Sequence, residues 1–314
     1  MTPRHFPIAA TTARYIKLGT NNAWFSGAKA NKRIEFGHSA VPHEMASRGN
    51  RAEIAAFYRE HDRTKAKASD FAREVVDFYT QDRECLWITF AEGSLWCGFT
   101  ESGVTMLGES DSNGERARTL AEGWSNLDAD GKLLTIGSLS TRLTKVAAYR
   151  QTICGVEALD YLIRRINAID EPAVAAAKRA QQAMLASAND LITGLHWRDF
   201  EVMCDLIFAR SGWQRVAELG GLQKDTDLDV DQAATGERAF VQIKSAAATE
   251  TLNDYVTRFE ADPGFDRMFF ICHSPRGALA APISSKPVHI WVGQAVARQA
   301  IAAGLYEWLI GKSA

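Results

Sequence analysis

No run of about 18 consecutive apolar residues occurs in the chain, which excludes a membrane-spanning helix. Cysteine is scarce and scattered. Cys85, Cys97, Cys154, Cys204 and Cys272 are odd in number and never form a Cys-x-x-Cys pair. That pattern argues against a disulfide framework and against a zinc site, which needs closer ligand pairs; it suits buried free thiols in a reducing cytoplasm. Charge of either sign is not in excess. Lys+Arg number 36 against 38 Asp+Glu, a net charge of −2, so bulk composition does not announce a nucleic-acid binder. The Gly-x-Ser-x-Gly turn of a serine hydrolase is absent, as is a phosphate-cradling Walker loop. The seven histidines include no close-spaced ligand pair. The opening MTPRHFPIAATTARY lacks the apolar core of a secretory signal and reads as a loose tail.

What is present is an ordinary globular mixture. The 314 residues are 46% hydrophobic and 24% charged, enough for two domains with real cores. The strand pattern covers 13–19 and 33–39, and helices are expected over 51–60 and 69–80, the second capped by Ser69. Apolar runs at 85–91 and 94–100 flank Glu92-Gly93, a hairpin signal. Amphipathic helices follow at 156–170 and 173–192. The expected division is a mostly-β domain at 1–155, a helical connector at 156–193 and an α/β domain at 194–314. In the last, the expected order is a helix at 197–212, strands at 213–219, 228–233 and 239–245, a helix at 249–263, strands at 266–274 and 288–292, and a final helix at 294–310.

The stretch DVDQAATGERAFVQIKS, residues 229–245, carries the chemistry. Gln242 and Lys244 lie two apart on one strand and leave the same face, while Val241 and Ile243 leave the other. If strands 228–233 and 239–245 pair, the Asp229 carboxylate and the Gln242 amide oxygen can share a hard cation, because neighbouring strands lie about 4.8 Å apart. Lys244 stands where an ammonium can orient a water or offset charge on a phosphate. Glu201, on the preceding helix, is an additional candidate ligand. Asp225 and Asp227 compete with Asp229 for the metal; Asp229 is preferred because an apolar strand residue, Val230, follows it. His196, His273, Arg258 and Lys286 are weaker candidates for phosphate contact.

Helix Glu201, the loop GGLQKDTDLDV (220–230) and VQIKS (241–245), in this order, resemble the Mrr-like restriction endonucleases of the PD-(D/E)xK nuclease superfamily. The resemblance spans roughly residues 195–292. It implies a restriction-endonuclease-like αβββαβ core. It also implies an Mg2+-dependent DNA endonuclease, with Mn2+ able to substitute, that acts in defence on foreign or modified double-stranded DNA. Asp229, Gln242 and Glu201 would be metal ligands and Lys244 catalytic. A cytoplasmic homodimer, one site for each DNA strand, fits the same family. The loop departs from the family in carrying DTDLD where glycines usually separate the acids. The rival reading is a catalytically inactive DNA-binding or nucleotide-sensing protein on a degenerate nuclease fold.

The first half resembles the small β-barrels of the PUA/EVE-like group, through YIKLG, IEFG, CLWITF and LWCGF. That likeness implies target recognition, in some members by holding a flipped base against aromatic rings. Trp24 is the leading aromatic candidate, with Phe25, Trp87, Trp96 and Trp124 behind it. Arg142, Lys145 and Arg150 are candidates to follow a phosphate backbone.

Overall fold

The computed structural model describes residues 5–61, 63–108, 115–216, 228–279 and 282–313. The chain divides into two compact units, Met1–Glu171 and Pro172–Ala314. No described helix is long and apolar enough to cross a membrane.

The first unit runs β1 (Thr12–Ile16), α1 (Phe25–Ala30), β2 (Arg33–Phe36), α2 (His43–Ser47), α3 (Arg51–Glu60), α4 (Lys65–Thr80), β3 (Cys85–Ala91), β4 (Ser94–Phe99), β5 (Thr105–Met106), β6 (Arg116–Thr119), α5 (Thr141–Thr144), β7 (Ile153–Gly155) and α6 (Leu159–Ile166). One sheet has the order β4-β3-β1-β7 and a second the order β2-β6-β5. β3 explains its own unbroken apolar run. Cys85 and Trp87 enter one core with α3 and α4, while Leu86, Ile88 and Phe90 enter another with α6. A strand buried on both faces needs no polar alternation. The β3–β4 hairpin turns through Glu92 and Gly93, both at positive φ (51° and 72°), as a two-residue hairpin requires.

The expected mostly-β barrel needs correction. Helices supply more of this unit than strands do, with α3 and α4 running 10 and 16 residues. The described strands make two open sheets and no closed barrel. The helix α4 also starts earlier than the Ser69 cap implied. Thr64 is its N-cap and accepts from the Lys67 amide. Lys65 to Ala68 are good helix formers, and burying Ala68 in the core favours the extra turn.

The second unit runs α7 (Pro172–Gly194), α8 (Trp197–Arg210), β8 (Trp213–Arg215), β9 (Leu228–Gln232), β10 (Glu237–Lys244), α9 (Thr249–Ala261), β11 (Arg267–Cys272), β12 (Val288–Val292), α10 (Gln294–Ala302) and α11 (Tyr306–Ser313). Its sheet has the order β12-β11-β10-β9-β8. Pairing is antiparallel from β8 to β10 and parallel from β10 to β12. Val230, Ala239, Val241, Ile243, Phe269 and Ile271 pack one face against α7, α8 and α10. Phe240, Met268, Phe270 and Cys272 pack the other against α9. The stretch expected as a connector is shared out: α6 gives Leu162 and Ile166 to the first unit's core, and α7 gives Leu185, Ala188 and Ile192 to the second's.

The single final helix expected over 294–310 is two helices. Gly304 stands at φ 69°, its amide bonds Ile301 O at 2.9 Å and the Leu305 amide bonds Ala300 O at 2.9 Å. This is a Schellman stop, which a glycine in the left-handed region favours. Arg210 reinforces it by donating to Ala303 O at 2.6 Å and Gly304 O at 3.0 Å.

Candidate active site

β9 and β10 pair with Asp229 opposite Phe240. Directly opposed residues share a face and strand residues alternate, so Asp229, Phe240, Gln242 and Lys244 leave the same side. The burial pattern agrees, because Phe240 packs under α9 whereas Val241 and Ile243 pack under α8. Asp229 is diagonal to Gln242, a Cα separation of about 7–8 Å in such a pair. Asp225 and Asp227 lie outside the described residues.

Asp229 is nearly enclosed, its side chain 11% exposed, and Arg238 Nη2 donates to its Oδ2 at 2.5 Å. Arg238 Nε also lies 3.4 Å from Asp231 Oδ1, and its guanidinium covers the Phe265 ring at 5.3 Å. Gln242 is only 1% exposed. Lys244 is half-buried, with Nζ 5.2 Å from the centre of the Tyr255 ring. The Arg258 guanidinium stands at 5.2 Å from the same ring, so Tyr255 of α9 is flanked by two cations.

Glu201 belongs to α8, which covers the opposite face of the sheet, and is half-buried. Its neighbour Phe200 meets the His273 ring edge-on at 4.6 Å. His273 follows β11, where Cys272 pairs with Lys244. The first turn of α8 therefore sits at the same end of the sheet as Lys244. Ser274 N bonds Ser245 O at 3.0 Å, tying those ends together. His273 Nδ1 lies 2.8 Å from Ser274 Oγ, and its buried Nε2 has no hydrogen-bond partner among the described residues. Burial depresses the His273 pKa, which favours the neutral ring.

Among the described residues no group of three or more His, Cys, Asp and Glu side chains could hold a metal ion. The candidate donors on this face, which Asp231 opposite Arg238 also shares, are one carboxylate, Asp229, and one amide, Gln242. Both offer hard oxygen, the donor type Mg2+ takes, and the rest of its shell would come from water and phosphate. The donor chemistry therefore fits Mg2+, provided that Arg238 yields at least one oxygen of Asp229.

The candidate DNA contacts are dispersed. Arg142 on α5 and Arg150 are exposed. Lys145 is exposed too and pairs with Glu157 at 2.8 Å. Trp24 is half-buried and lies over Gly19, where an added Cβ would come within 2.7 Å of its ring. Phe25, Trp87, Trp96 and Trp124 are core residues, each under a tenth exposed. Lys286 donates to Asp262 O and Phe265 O, and His196 caps α8. Arg238 went unnoticed in the sequence, although the two-residue period from Gln242 through Phe240 reaches it. Tyr255 gave no such signal, because its place beside Lys244 depends on how α9 docks.

No family model, no curated protein and no solved structure matches the chain.

Proposed function

We propose that the chain is an Mg2+-dependent endonuclease of the PD-(D/E)xK, Mrr-like type, acting on foreign or modified double-stranded DNA, with Mn2+ able to substitute and two copies cutting the two strands. One observation carries this reading: Asp229, Gln242 and Lys244 leave the same face of two paired strands. Asp229 and Gln242 would hold the cation, with Glu201 the further donor from α8. When bound, Mg2+ supplies Lewis-acid polarisation of the phosphodiester. Lys244, held against Tyr255, orients the attacking water and offsets charge that builds on the phosphate. Arg238 swings from Asp229 to make room for the cation and then faces the DNA backbone. In the first unit Arg142, Lys145, Arg150 and Trp24 are the proposed DNA contacts.

The test is conversion of supercoiled plasmid in Mg2+ or Mn2+ by the wild-type chain and by Lys244→Ala. Nicking by wild type alone supports the reading, and equal nicking by both overturns it. A second reading has its own observation. The 2.5 Å ion pair puts a guanidinium where a metal would bind Asp229. If that pair is permanent, the chain binds DNA without cutting it, and Arg238→Gln will not elicit cleavage either.

A further inference from the structure

The first unit contains a cavity of about 850 Å3, bounded by β1, β7, α4 and the 145–149 segment. That volume falls within the range of about 300–1,000 Å3 common to small-molecule sites. Three cationic side chains line it, Arg14, Arg73 and Lys145, against one carboxylate, Glu157. The rest of the wall is largely apolar, with Val146, Val156 and Leu159 prominent.

The two arginines are engaged very differently. Arg73 is fixed, donating to Tyr149 Oη at 2.8 Å, Ile153 O at 3.1 Å, Asp77 Oδ2 at 3.2 Å and Gln151 Oε1 at 3.3 Å. Arg14 makes two long contacts, 3.3 Å to Ala13 O and 3.4 Å to Asp77 Oδ1, and its enclosed Nε has no acceptor among the described residues. A guanidinium offers five N–H donors, so most of Arg14's capacity is unspent. Its cross-strand neighbour is Gly155, which puts no side chain over it; a Cβ there would stand 3.8 Å from Nη1. Lys145 pairs with Glu157, and both side chains are more than half exposed, so that pair opens at little cost.

We propose that this cavity binds a small organic oxyanion, a carboxylate or a phosphate, carried on an apolar body no larger than a mononucleotide. The oxyanion takes the forked donors of Arg14, Arg73 framing the wall through its ion pairs with Asp77 and Glu74, and the body lies against Val146, Val156 and Leu159. Binding is non-covalent. Burial pushes the Cys154 thiol on the wall up to about 11, so it stays protonated and is neither a nucleophile nor a repelling charge. The site lies in the first unit alone and stands whether or not the second unit cleaves DNA.

The test is calorimetric titration of the full chain with adenosine 5′-monophosphate and with phenylacetate, beside the neutral counterparts adenosine and phenylacetamide. At least one anion binds with Kd below about 1 mM, and its neutral counterpart at least tenfold more weakly. Whichever anion binds separates phosphate from carboxylate recognition. Arg14→Met weakens that binding at least tenfold. Ala148→Trp, which fills the cavity from an exposed position, abolishes it at unchanged Tm. The proposal is overturned if neither anion binds, or if binding persists undiminished in Ala148→Trp.

Discussion

Glu74 in the first unit and Asp229 in the second are both carboxylates drawn out of solvent, and they are held in opposite ways. Glu74 is fully buried. Its Oε1 accepts from the Thr152 and Ile153 amides at 2.7 and 2.9 Å, and its Oε2 lies 3.2 Å from His38 Nε2. Those amides are fixed backbone, so Glu74 welds α4 to the start of β7 and nothing can displace its partners. Asp229 is paired with Arg238, a long side chain that is itself 37% exposed. Burial alone therefore does not distinguish the two acids; the kind of partner that holds each one does.

Four measurements test this contrast. Removing a welded carboxylate strands the buried Ile153 amide and the half-buried Thr152 amide, so Glu74→Ala should cost about 3 kcal/mol in urea unfolding of the first unit. A loss under about 1 kcal/mol would erase the distinction. Lys244→Ala should slow plasmid nicking by about 10²-fold or more while the fold's Tm stays within a few degrees. Arg238→Gln should lower the Mg2+ concentration needed for half-maximal nicking, by about tenfold if the guanidinium competes for Asp229. An unchanged requirement would make Arg238 a permanent partner. The smallest effect concerns His273. Its folded pKa lies below the ordinary 6.5, so the unfolded chain takes up its proton first. Stability should then fall as the pH drops below about 6.5. His273→Phe should flatten that fall in a Tm series from pH 7.5 to 5.

The second unit was more legible in the sequence than the first, for a physical reason. β10 has one face wholly apolar and polar residues at alternate positions of the other, so a two-residue period in the sequence itself separates Val241 and Ile243 from Gln242 and Lys244. The turn beside it is announced by Gly236, at φ 73°. β3 in the first unit is apolar on both sides, so its period is erased, and the open sheets could be taken for a barrel. α1 and α2 are too short, at 6 and 5 residues, to display a helical period. The Arg238–Asp229 pair was hidden because cross-strand register depends on the whole hairpin. Helical periodicity shows that Glu201 leaves the apolar stripe of α8, but which face of the sheet α8 covers is set by packing that no local pattern displays.

The strict sorting of β10 has an evolutionary corollary. Displacing this strand by a single position relative to its neighbours would drive the ammonium of Lys244 into the oily seam beneath α8 and expose Ile243 in its place. The polar constellation can thus lose or exchange members by point mutation, but it cannot migrate along the chain. Any descendant that keeps this sheet must keep its chemistry, whatever that becomes, at the same alternate positions.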